Sequence, residues 1–102
     1  MGQYMPFFKN EIPVIKTFTI DELEYQYQID YNEMADFYTL SVKDENETII
    51  YSTKLVMGGD ALHVAHPLTG ISSRIIPRTI KKVIDYLSAE TFDEVRIYVE
   101  SV

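Results

Sequence analysis

The stretch Leu23-Glu24-Tyr25-Gln26-Tyr27-Gln28-Ile29-Asp30-Tyr31 decides the fold. Its odd positions are apolar or aromatic, and the residues between them are polar. Side chains on a strand point alternately to opposite faces, so this run buries one face and wets the other. A helix would scatter the same residues around its circumference. The run therefore predicts a half-buried strand of an antiparallel sheet.

Working outward, similar runs flank it. Val14 to Ile20 reads as a first strand, entered at a sheet edge through Pro13. Asp21-Glu22 is a short turn before the alternating run. Asn32 to Asp36 has the length of a hairpin connector. Phe37 to Lys43 is a third strand with Tyr38, Leu40 and Val42 as its apolar set. Asp44-Glu45-Asn46-Glu47 is a polar turn, favoured by Asx side chains that bond the local backbone. Thr48 to Met57, rich in β-branched residues, is a fourth strand. Together these form a four-stranded meander.

Gly58-Gly59-Asp60 breaks the pattern, because glycine permits a sharp exit. Residues 60–73 read as a loop, and Ile71 to Ile76 as a short strand ending at Pro77. Ile80, Val83, Ile84 and Leu87 fall at helical spacing, although Val83 to Leu87 also passes as a strand. Pro77 fits a helix start. The last strand is Val95 to Glu100, with Val95, Ile97 and Val99 on one face and Arg96, Tyr98 and Glu100 on the other. The expected fold is mainly β: a small antiparallel meander or barrel-like sheet with at most one short helix near residues 78–88. Residues 1–11 form an amino-terminal arm and residues 12–102 a single β domain. Tyr4, Met5, Phe7 and Phe8 make the arm apolar without a usable period. An exposed apolar arm is costly, so it either folds back over its own core or docks on a neighbouring subunit.

Composition narrows the functional classes. The 102 residues suffice for one core. The net charge is −7, and most of it is early: residues 1–54 hold ten acids and four bases, residues 55–102 six acids and five bases. A protein that tracks phosphates needs the opposite sign. No stretch approaches the ~18 apolar residues of a membrane span. The amino end lacks a basic segment followed by an apolar one, so no signal peptide is expected. Without cysteine there is no disulfide framework and no thiolate metal site.

Candidate chemistry is sparse. Asp60, His63 and His66 are suitable ligand types for a divalent metal, but their spacing misses the i, i+4 pattern of one helix face and no fourth ligand is evident. Gly58-Gly59 lacks the remainder of a phosphate-binding loop. The serines have no nucleophile elbow around them. Tyr25, Tyr27 and Tyr31 lie among Glu22, Glu24 and Asp30, which opposes base stacking in a basic groove. No catalytic residue, cofactor or metal ligand is assigned. Arg74, Arg78, Lys81 and Lys82 hold four of the nine bases within nine residues. This is a local positive patch in an acidic chain, and complementary patches steer association.

Three segments carry a resemblance. They are Phe18 to Asn32 (F-T-I-D-E-L-E-Y-Q-Y-Q-I-D-Y-N), Asp36 to Val42 (D-F-Y-T-L-S-V), and Lys54 to Leu62 (K-L-V-M-G-G-D-A-L), with Thr91 to Val99 (T-F-D-E-V-R-I-Y-V) at the carboxyl end. This layout resembles the small baseplate plug proteins of tailed bacteriophages, over roughly residues 12–62 and 91–100. Residues 63–90 depart from the family's pattern. The resemblance implies a virion structural protein and not an enzyme, made in the host cytoplasm and placed in the tail baseplate. Its implied partners are the hub, the spike, the inner tube or its initiator, and copies of itself in a three- or six-fold assembly, with no nucleic acid or membrane. Tyr4, Phe7 and Phe8 are then the expected arm contacts, and Arg74, Arg78, Lys81 and Lys82 the expected inter-subunit charges. The competing readings are a stand-alone acidic adaptor or inhibitor module and a small metal-dependent enzyme built on Asp60, His63 and His66.

Overall fold

The computed structural model describes residues 3–79 and 87–101. Among them are seven strands: β1 (Gln3–Met5), β2 (Val14–Ile20), β3 (Leu23–Asn32), β4 (Phe37–Lys43), β5 (Ile49–Lys54), β6 (Arg74–Thr79) and β7 (Val95–Glu100). One α-helical turn, α1 (His66–Thr69), and two 3₁₀ turns at Lys9–Glu11 and Phe92–Glu94 complete the described elements. The strands form two antiparallel sheets and close no barrel. One is the meander β2-β3-β4-β5, and the other has the order β1-β7-β6.

The alternation in β3 works as its pattern demands. Tyr27 and Ile29 are fully buried, and Tyr25 and Tyr31 pack against the core from its rim. Tyr38, Leu40 and Val42 extend the buried face across β4. Met5, Ile75 and Ile97 come from the second sheet, and Leu55, Leu62, Ala65 and Ile71 from the segment that joins the two. All belong to one apolar cluster. The Tyr27 hydroxyl is enclosed without a hydrogen-bond partner among the described residues, and burial pushes its pKa up. A buried donor left unmatched costs free energy. Tyr27→Phe is therefore expected to leave stability unchanged or raise it by up to about 1 kcal/mol, read by chemical denaturation.

Turn chemistry sets the meander's register. Asp21 and Glu22 both have positive φ, 54° and 68°, the backbone of a tight two-residue hairpin. Neither is glycine, and the Asp21 carboxylate has a second task. It accepts hydrogen bonds from the backbone N–H groups of Ser72 and Ser73 and from the Ser73 hydroxyl, at 2.8–2.9 Å. The first turn of the meander is thereby tied to the entrance of β6. At the next turn but one, Asp44 Oδ1 accepts from the backbone of Asn46 (2.9 Å) and Thr48 (3.0 Å).

Two expectations are revised, and a third falls mostly outside the described residues. The short strand predicted to stop at Pro77 runs to Thr79 and contains the proline. An edge strand tolerates this, since a missing N–H on the outer side breaks no ladder, and β6 is an edge. The Pro77 carbonyl accepts from Gly58 N–H at 2.9 Å instead. The described helix lies at 66–69, inside the expected loop. It has Pro67 in its first turn and Gly70 beyond its end at φ 76°, the usual start and stop residues. A Cβ at position 70 would also approach Leu23 Cδ1 to 3.2 Å. Of the helix expected near 78–88, Arg78 and Thr79 are strand, and residues 80–86 lie outside the described residues.

The arm lies on its own chain. Residues 3–5 pair with residues 97–99 of β7, and Met5 and Phe7 are buried in the core. Lys16 Nζ on β2 donates to the Pro6 carbonyl at 2.7 Å and pairs with Glu11 at 3.1 Å, which pins the arm from the other sheet.

Candidate protein-interaction surface

β7 is the central strand of its sheet, with β1 on one side and β6 on the other. Register then dictates which side chains share its outer face. Tyr4 lies opposite Tyr98 and Tyr98 opposite Ile76, Arg78 lies opposite Arg96, and Arg74 opposite Glu100. Because neighbours along a strand alternate, these residues line one side, away from Ile75 and Ile97 in the core. Arg74, Arg78 and Arg96 are exposed, whereas Ile76 on the same side is buried.

The face is electrostatically uneven. Arg78 forks onto Glu100 through Nε and Nη2. This hydrogen-bonded pairing holds the Glu100 carboxyl below its usual range. Arg96 stacks over the Tyr4 ring at 4.5 Å, and Tyr4 meets Tyr98 edge-on at 6.1 Å. Neither Arg74 nor Arg96 has an ion-pair partner among the described residues. Beside Tyr4 and Arg96, a cleft of about 200 Å³ opens between Phe8, Phe92 and Asp93.

The expected contact residues separate into distinct environments. Tyr4 is 46% exposed and Phe8 57%. Phe7 turns inward against Phe18, with ring centroids 5.6 Å apart. Arg74 and Arg78 are exposed on β6, while Lys81 and Lys82 lie outside the described residues. Arg96, Tyr98 and Glu100 complete the face without having been picked out. The signal was present in the alternation of β7, but only the pairing with β1 and β6 brings that side next to Tyr4 and Arg74.

Asp60, His63 and His66 do not converge. No group of side chains able to hold a metal occurs among the described residues, and His63 is exposed. Asp60 and His66 instead form an internal clasp, with His66 Nε2 2.6 Å from Asp60 Oδ2 and His66 Nδ1 2.7 Å from the Ile71 carbonyl. Burial works against both charges. The hydrogen bond between the two side chains and those to backbone groups outweigh it, so the imidazole pKa is raised and the carboxyl pKa lowered. No helix of the described residues is long and apolar enough to cross a membrane.

Comparison with known families matches residues 3–101 to the model described as "Cyanophage baseplate Pam3 plug gp18". No curated protein and no solved structure matches the chain. Because the match spans both sheets, from the start of β1 past the end of β7, the chain belongs to this phage baseplate plug family.

Proposed function

We propose that this chain acts at the centre of a tail baseplate, at the junction of inner tube, hub and spike, where it works by protein–protein contact alone. The family supports a structural role in the phage baseplate, in contact with other baseplate components. The family match over nearly the whole chain is the observation that carries the proposal.

The surface supports contacts of this kind. Tyrosine and arginine are over-represented among residues that dominate binding energy, and the outer side of β1-β7-β6 presents both. Tyr4 and Phe8 are the proposed apolar contacts, and Phe7 anchors them from within. Arg74 and Arg78, followed in sequence by Lys81 and Lys82, are the proposed charged contacts. The assembly is expected to be three- or six-fold, without nucleic acid or lipid.

Co-expression with the hub, spike and tube-initiator proteins of the same phage tests this. The wild-type chain is expected to copurify with at least one of them. Tyr4→Ala combined with Phe8→Ala is expected to weaken that association about tenfold or more, since one well-buried contact is worth about 1.4 kcal/mol or more. The variant's thermal unfolding should stay close to wild type, because both rings are largely outside the core. If the wild-type chain binds none of these components, the proposed location is wrong.

A further inference from the structure

We infer that the outer face of the β1-β7-β6 sheet is a socket for the acidic turn end of a second copy of this chain. The inference deepens the proposed baseplate role and rests on it for its biological setting.

The socket carries three arginines against one glutamate, a net +2 on a chain of net −7. Like charges directly opposite on neighbouring strands oppose each other, and Arg78 sits opposite Arg96. Glu100 relieves only part of this, because its carboxylate is engaged by Arg78. Arg74 and Arg96 form no ion pair among the described residues, so both can take carboxylates from outside. Arg96 is already held over the Tyr4 ring, so binding through it orders little that is not ordered beforehand.

The same chain supplies the complementary surface. Gln26 of β3 pairs with Lys43 of β4, so the β2–β3 turn and the β4–β5 turn share one end of the meander. That end bears Glu22, Glu24, Glu45 and Glu47, all exposed, with Lys43 as the neighbouring base. Asp44 is committed to its own turn, where its two backbone hydrogen bonds hold Glu45 and Glu47 on a defined loop. Socket and acidic end are different sets of residues, which meet only where Asp21 holds Ser72 and Ser73 just ahead of Arg74. A contact between them is heterologous, the kind that repeats around an axis and closes into a ring when the rotation permits.

Analytical ultracentrifugation of the full chain at low and high salt provides the test. Wild type is expected to self-associate at low salt and to dissociate as salt screens the exposed charges. Arg74→Glu with Arg96→Glu, and separately Glu45→Arg with Glu47→Arg, are expected to weaken self-association at least tenfold. Mixing the two charge-reversed chains, each unable to self-associate, should restore a hetero-association. Arg74→Ala with Arg96→Ala serves as the milder variant if reversal disturbs folding, and circular dichroism checks each protein. A wild-type chain that stays monomeric at low salt overturns the inference, as does self-association unchanged in the reversed variants. A monomeric chain that nevertheless binds a baseplate component through Arg74 and Arg96 overturns the self-docking and leaves the baseplate role standing.

Discussion

Asp60→Ala is expected to destabilise the protein by about 3 kcal/mol, the cost of breaking a mostly buried, charge-assisted network by removing one partner. The Asp60 side chain is 13% exposed and serves three donors. Oδ1 accepts from the backbone of Leu62 at 3.0 Å and Ile75 at 3.1 Å, and Oδ2 from His66 at 2.6 Å. Alanine strands two backbone N–H groups and leaves an imidazolium facing a cavity. Asn at this position keeps one accepting oxygen and turns an amide donor toward one of the donors, so Asp60→Asn should fall between. Urea denaturation of the three proteins measures the series.

The clasp also predicts a pH dependence. Both ring nitrogens of His66 face acceptors, an arrangement that favours the charged ring and raises its pKa. Asp60 supplies the main opposing charge, and Arg74 on β6 works against it. A histidine whose folded pKa is raised contributes stability below its ordinary 6.5, and that contribution is lost as pH rises through the folded value. A carboxylate whose folded pKa is lowered contributes above its ordinary 3.8, and that contribution is lost as pH falls through the folded value. The clasp is therefore worth most between these two ordinary values and weakens on either side. In Asp60→Ala the decline above the histidine range should flatten. A wild-type decline that persists unchanged in the variant would show that the clasp is not its source.

Tyr38→Ala is expected to cost about 4 kcal/mol, within the range for emptying a large aromatic site in a core. Tyr38 is 2% exposed. Its ring lies 4.8 Å from Tyr31 and 4.4 Å from Phe92. Phe92 belongs to the 3₁₀ turn that leads into β7, so this stack joins the two sheets. Domains of this size are stable by about 5–15 kcal/mol, and the variant should lose a large share of that. Met34, fully exposed at the β3–β4 turn, is the control, and Met34→Ala should shift the denaturation midpoint hardly at all. Equal effects of the two substitutions would mean that the inter-sheet stack contributes little.

The meander was legible because each of its strands is local and amphipathic. β2, β4 and β7 have the residues expected for them, β3 is longer by one, and β5 is shorter than the expected Thr48 to Met57, ending at Lys54. The weaker expectations lay where local pattern and global context part. Pro77 reads as a strand end only until β6 is known to be an edge. The short helix is announced by Pro67 and Gly70, but a four-residue element has no room for an apolar period. Asp60 and His66 carry the residue types of a metal site. Their partners turn out to be each other and the backbone of Leu62, Ile71 and Ile75, of which Ile75 lies fifteen residues from Asp60.

Alternation, turn residues and the family-like segments by themselves determined an antiparallel β-protein of the baseplate plug type, because these signals arise from neighbours in the chain. Only the tertiary structure decided that the chain divides into two sheets, that the amino-terminal segment pairs with β7, and that Arg96 and Tyr98 stand beside Tyr4, Arg74 and Arg78. Those placements join residues more than ninety positions apart in one case and about twenty in the others. No periodicity along the chain encodes such pairings. They follow from which edge strand finds a partner once the apolar faces have closed on a common core.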